Sequence, residues 1–213
     1  MLAIAGGKGG CGKTTSALGV AAAFARQRRS VLVADADAEM PDLHLVAGVE
    51  REPGLDAVAA GRNPNEVAQG HPTVSGLSIL PATEGGGHSG STGLFDRLSG
   101  ATDAILLDAP AGAGPDAVAP LRAADNVVVV TTLDPACLRD TAKTAAMARQ
   151  LGTTVAGVVV SRAKAVPEAV TELLNCPSLG AIPHTGRSTD PLADERVRSA
   201  YDQVVSSLQP KYL

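Results

Sequence analysis

GGKGGCGKTT, Gly6–Thr15, is the stretch on which the fold turns. It follows a short apolar run, LAIAG (Leu2–Gly6), and leads into TTSALGVAAAFARQRR (Thr14–Arg29), which reads as a helix. Within it GKGGCGKT (Gly7–Thr14) satisfies G-x-x-x-x-G-K-[ST] in the strand-to-helix context that gives this pattern its meaning. Glycines let consecutive backbone N–H groups converge on phosphate oxygens, and the helix that follows adds the positive end of its dipole. Lys13 supplies a point charge for the β- and γ-phosphates, and the Thr14 hydroxyl is the expected Mg²⁺ ligand. The competing reading, a glycine-rich turn that binds nothing, does not explain why a strand and a helix flank it.

Outward from this loop the chain alternates short apolar runs with helical patterns. VLVAD (Val31–Asp35), LSIL (Leu77–Leu80), AILLD (Ala104–Asp108), NVVVVTT (Asn126–Thr132), TVAGVVVS (Thr154–Ser161) and LGAI (Leu179–Ile182) read as further strands. Helices are expected from about Pro135 to Leu151 and from about Leu192 to Leu208. Strands that are apolar throughout, separated by helices, imply a mostly parallel sheet covered on both faces, hence a doubly wound α/β fold in three layers. At 213 residues one domain spanning 1–213 is expected. Glu50–Val74 and the glycine-rich TEGGGHSGSTG (Thr83–Gly93) carry no clear period and receive no assignment.

Composition narrows the function. Aromatic residues are 2% of the chain and Trp is absent, which disfavours a base-stacking platform for single-stranded nucleic acid. A net charge of −4 gives no global attraction to DNA or anionic lipid, so such a partner needs a local patch. Arg26, Arg28 and Arg29 form one basic group and Arg187, Arg196 and Arg198 a looser one, but a basic helix end and a solvated helix face account for both. Nonspecific DNA binding is thereby weakly supported. Cys11, Cys137 and Cys176 are odd in number and widely spaced, matching neither a disulfide framework nor a zinc site. With no signal-peptide pattern and no run near the ~18 apolar residues of a membrane span, the expectation is a soluble protein of a reducing cytoplasm.

Two acidic segments complement the loop. Asp108 ends an apolar strand in AILLDAPAG (Ala104–Gly112), where a phosphate-loop enzyme needs an acid behind the Mg²⁺ water shell. Asp35 and Asp37 lie just past the strand in VLVADADAEMPDL (Val31–Leu43). Asp37 is the better candidate to orient an attacking water or help hold the metal, while Asp35 and Asp42 suit ordinary turn or cap roles.

Together these motifs carry a family resemblance. KGGCGKTT (Lys8–Thr15), with a lysine ahead of the usual one, resembles the deviant Walker A loop of the MinD/ParA group of P-loop ATPases. DADAEMPDLHLVAGVE (Asp35–Glu50) and LLDAPAG (Leu106–Gly112) resemble their switch I and switch II, and TTLDPACLRDTAKT (Thr131–Thr144) resembles the segment after their fifth strand. The resemblance runs to about Pro183. It implies that ATP and Mg²⁺ are the ligands, that Gly7, Lys8, Gly9, Gly10, Cys11, Gly12, Lys13, Thr14 and Thr15 enclose the phosphates, and that Lys8, Lys13 and Asp37 serve hydrolysis. Thr14, Asp37 and Asp108 would then surround the metal.

In this family the extra lysine, here Lys8, reaches across an ATP-dependent homodimer to the other subunit's phosphates. Such proteins position division machinery, chromosomes, plasmids or other cargo, and turn over slowly without a stimulating partner. Many relatives read the adenine edge with an Asn in an Asn-Arg pair at the strand end occupied here by Ser161-Arg162, and Ile182-Pro183 resembles the segment packing near the base. Ser161 offers only a hydroxyl there. The tail SSLQPKYL (Ser206–Leu213) lacks the basic amphipathic pattern of membrane-bound MinD proteins, which disfavours direct membrane anchoring. Within the same superfamily the alternatives are an iron–sulfur carrier or electron-transfer protein, a synthetase of the dethiobiotin type, and a non-catalytic nucleotide-dependent adaptor. The first needs cysteines facing a dimer axis, the second a substrate pocket, and the third is disfavoured by the presence of Asp37 and Asp108.

Overall fold

The computed structural model describes residues 1–82, 92–185 and 191–208. Eight strands form one sheet in the order β3-β4-β2-β5-β1-β6-β7-β8. They are β1 (Leu2–Gly6), β2 (Val31–Asp35), β3 (Gln69–Gly70), β4 (Leu77–Leu80), β5 (Ala104–Ala111), β6 (Asn126–Thr131), β7 (Thr154–Ser161) and β8 (Ser178–Ile182). Every pairing is parallel except β3 with β4. Parallel strands need crossovers, and these are supplied by α1 (Lys13–Arg26), α2 (Leu43–Ala47), α3 (Leu55–Ala59), α4 (Pro64–Val67), α5 (Thr92–Asp96), α6 (Val118–Ala123), α7 (Pro135–Gln150) and α8 (Glu168–Leu174), while α9 (Glu195–Ser207) follows the last strand. The doubly wound α/β fold expected from the sequence is therefore the fold observed.

Burial on both faces follows from the two-residue period of a strand. Ala3, Ala5, Leu32, Ala34, Leu107, Val127 and Val129 enter one apolar core. Their neighbours Leu2, Ile4, Val31, Val33, Leu106, Val128 and Val130 enter the other, under α1 and α9. Such strands show no polar alternation because neither face meets water.

Element ends differ from the expected bounds for local reasons. The first helix stops at Arg26 rather than Arg29, because Arg28 adopts a left-handed φ of 64° that no helix continues through. The last runs Glu195–Ser207, capped by the Asp194 carboxylate on the Arg196 amide, and Leu192 belongs to a preceding 3₁₀ turn. β5 runs three residues past Asp108, and the amide of Gly112 just after it donates to the Gly6 carbonyl at 2.9 Å. Most of Thr83–Gly93 and the end of the C-terminal tail lie outside the described residues, as does Arg187. No helix among the described residues is long and apolar enough to cross a membrane.

Candidate functional site

β1 delivers its last residue, Gly6, to the carboxyl edge of the sheet, and the chain turns there through Gly7–Gly12 into α1. Gly10 and Gly12 take left-handed φ values of 75° and 96°, which bend the loop back over the start of α1. Gly7 is required for a different reason. A Cβ on it would lie 2.0 Å from the backbone nitrogen of Thr141 in α7, so only a residue without a side chain lets loop and helix touch. The Gly7 amide donates to the Thr141 hydroxyl at 3.2 Å across that contact.

The loop is also held from β7. The Ser161 hydroxyl donates to the carbonyl of Cys11 at 2.5 Å, and the Arg162 guanidinium donates to the carbonyl of Gly10 at 2.8 Å. Arg162 sits at a left-handed φ of 56°, uncommon for a residue with a side chain. The pair expected at the base edge thus grips the phosphate loop, and the Ser161 proton is committed to a loop carbonyl. Pro183 follows β8 and is half-buried beside this end of β7, where the Ala163 amide donates to the Ile182 carbonyl at 3.0 Å. Cys11 is buried in the core below the loop, and burial pushes its thiol up, in keeping with a small filler.

The two lysines are in opposite situations. Lys13, in the first turn of α1, is 8% exposed, whereas Lys8, Gly9 and Gly10 form an exposed crest. Behind Lys13 stand two buried acids from neighbouring strands, Asp35 at the end of β2 and Asp108 in β5, paired in register. Asp35 accepts the amides of Asp37 at 3.0 Å and Leu43 at 3.3 Å, so its turn role is observed. Burial, with Asp108 alongside, raises its carboxyl to about 8. Burial likewise lifts Asp108 to about 7, against the pull of the Thr14 hydroxyl and Lys13. Asp108 Oδ1 is buried with no hydrogen-bond partner among the described residues. Asp37 is half-buried, and its carboxylate accepts the Met40 amide at 3.0 Å, which shapes its own loop.

Asp42 departs from the cap reading. It occupies the N-cap position of α2 without making a side-chain cap bond, and accepts the Thr14 hydroxyl at 3.0 Å instead. Sequence reasoning also missed Thr141, whose partner Gly7 lies 134 positions away. The basic groups are largely engaged within the chain. Arg26 pairs with Asp202 at 2.6 Å, Arg29 lies over the Phe24 ring, Arg196 pairs with Asp194, and Arg198 donates to the Ala193 carbonyl.

An exposed glycine crest over a buried lysine, a threonine hydroxyl and an orphaned carboxylate oxygen suits a phosphate chain with a hard cation. Mg²⁺ takes few protein ligands and keeps water and phosphate oxygens, and a buried acid with a spare lone pair fits its water shell. The model of the CobQ/CobB/MinD/ParA nucleotide binding domain matches residues 2–194. The chain belongs to this family. An uncharacterized ATP-binding protein of Methanocaldococcus jannaschii is 31% identical over 194 residues, covering 85% of this chain and 73% of its own. A putative septum site-determining protein MinD of Emiliania huxleyi is 28% identical over 208 residues, covering 86% and 74%. The solved septum site-determining protein MinD of Pyrococcus horikoshii, complexed with Mg-ADP, superposes with a TM-score of 0.87 at 23% identity, covering 99% of this chain and 96% of that one. That likeness establishes the MinD-like fold.

Proposed function

We propose that this chain is a single-domain, Mg²⁺-dependent ATPase that works as a dimerisation switch. ATP binds the loop Gly7–Thr15, and two copies close face to face. A water oriented by Asp37 attacks the γ-phosphate, and release of the phosphate lets the dimer part. Lys13 holds the β- and γ-phosphates, Thr14 ligates the cation, and Asp108 and Asp37 hold its water shell. Ser161, Arg162 and Pro183 border the base end. The output is spatial positioning of division machinery, a chromosome or plasmid, or other cargo, in the cytoplasm, with a stimulating or cargo protein as partner.

The observation that carries this reading is the contrast between the lysines. An exposed cation on the crest, beside a loop whose own lysine is already buried, supports a role for Lys8 toward a nucleotide held by another molecule. A second cation near transferred charge stabilises the transition state only once the partner has arrived, so dimerisation gates hydrolysis. For a carrier of iron–sulfur clusters the shared face would need thiolates, whereas Cys11, Cys137 and Cys176 are all buried.

Mass in solution with ADP and with ATP tests the switch. The expected result is a dimer trapped by ATP in Asp37→Ala, and a Lys8→Ala variant that binds ADP yet stays monomeric. A monomer under every condition would reject the reading.

A further inference from the structure

A threonine that gives an oxygen lone pair to a cation must send its own proton elsewhere. The acceptor of that proton decides which way the lone pairs point. The Thr14 hydroxyl lies near Asp108 as well, but its hydrogen bond runs to Oδ1 of Asp42, at 3.0 Å and 28 positions along the chain. Asp42 could instead cap α2, as aspartates at that position commonly do, but no side-chain cap bond forms and the Leu43 amide goes to Asp35. Its carboxylate is thus held away from the helix and toward the phosphate loop.

Beneath this pair lies an imbalance. Asp108 is 2% exposed and its Oδ1 has no partner among the described residues. Asp35 is buried beside it, in register on the neighbouring strand. A buried carboxylate oxygen without a partner, next to a second buried acid, is a place where a cation relieves repulsion.

We propose that Asp42 is a positioning residue of the Mg²⁺ site: it takes the Thr14 proton and aims the Thr14 oxygen at the cation. This rests on the loop being a Mg²⁺–nucleotide site, as argued above. An outer-shell partner of this kind is worth about 10–100-fold in metal affinity.

The test is calorimetric titration of ADP into the full chain over a range of Mg²⁺ concentrations and in EDTA, for wild type, Asp42→Ala, Asp42→Asn and Glu39→Gln. Glu39 is an exposed acid of the same loop and controls for net charge. In Asp42→Ala the Mg²⁺ concentration needed for half-maximal tightening of ADP should rise about 10–100-fold. Asp42→Asn, which keeps an acceptor oxygen, should fall between that and wild type, Glu39→Gln should match wild type, and ADP affinity in EDTA should stay within about twofold for all four. A wild-type Mg²⁺ midpoint in Asp42→Ala overturns the proposal, and so does loss of ADP binding in EDTA, which would make Asp42 a scaffold of the loop. Wild-type ADP binding that ignores Mg²⁺ altogether would instead remove the underlying reading of the site.

Discussion

Ser161 shows how far a single side chain can be read in advance. Its place at the end of an apolar strand was legible, and so was its resemblance to a base-contacting position, yet its hydroxyl donates to the Cys11 carbonyl. Nothing local could reveal this, because the two residues are 150 positions apart and only the pairing of β7 with β6, and of β6 with β1, brings them together. The Asp42–Thr14 bond was hidden for the same reason. Asp-Leu ahead of a helical stretch looks like a cap, and only the folded loop turns the carboxylate to the hydroxyl. The loop residues themselves were legible because they are contiguous, and their chemistry depends on spacing alone. If Ser161 acts through the loop, Ser161→Ala should weaken ADP and GDP together. One buried hydrogen bond is worth roughly 0.5–1.5 kcal/mol net, about two- to tenfold in affinity. Competition binding of the two nucleotides reads the outcome, and a change in the ADP-to-GDP ratio would return Ser161 to the base.

Elements are decided by packing between helices as much as by their own pattern. Gly19 lies in the middle of α1, where alanine would ordinarily stabilise by up to about 1 kcal/mol. A Cβ there would sit 2.3 Å from two ring atoms of Tyr201 in α9, itself fully buried with its hydroxyl 3.1 Å from the Ser16 hydroxyl. Overpacking of this kind costs roughly 1–3 kcal/mol, so the clash outweighs the propensity gain and Gly19→Ala should lower the melting temperature. A rise would mean that α9 can slide away from α1 freely. The larger strands and α1, α7 and α9 were legible because each is long or apolar enough to show its period. Glu50–Val74 was not, since α3 and α4 have five and four residues and β3 has two, too short for any period to develop. β3 exists only by pairing with β4, Gln69 opposite Ile79.

Across the whole molecule, the phosphate loop is where separate parts of the fold are tied together. β1 leads into it, the Gly112 amide after β5 bonds the Gly6 carbonyl, α7 meets it at Gly7, and β7 grips Gly10 and Cys11. The two buried acids of β2 and β5 close it from below. A ligand that needs all of these in register binds the folded chain and not the unfolded one, so its binding energy appears as global stability. At 100 times the dissociation constant that amounts to about 2.7 kcal/mol. For a chain of 213 residues, each 1 kcal/mol moves the midpoint by roughly 2–4 °C, so ADP with Mg²⁺ should raise it by about 5–11 °C. The orphaned Asp108 oxygen makes the cation part of that gain, because it gives the Mg²⁺ water shell a buried acceptor. Removing Mg²⁺ with EDTA at constant ADP should therefore return a substantial part of the shift in a thermal melt. An equal shift with and without the metal would mean that the nucleotide docks on the glycine crest alone, leaving the buried acids outside its reach.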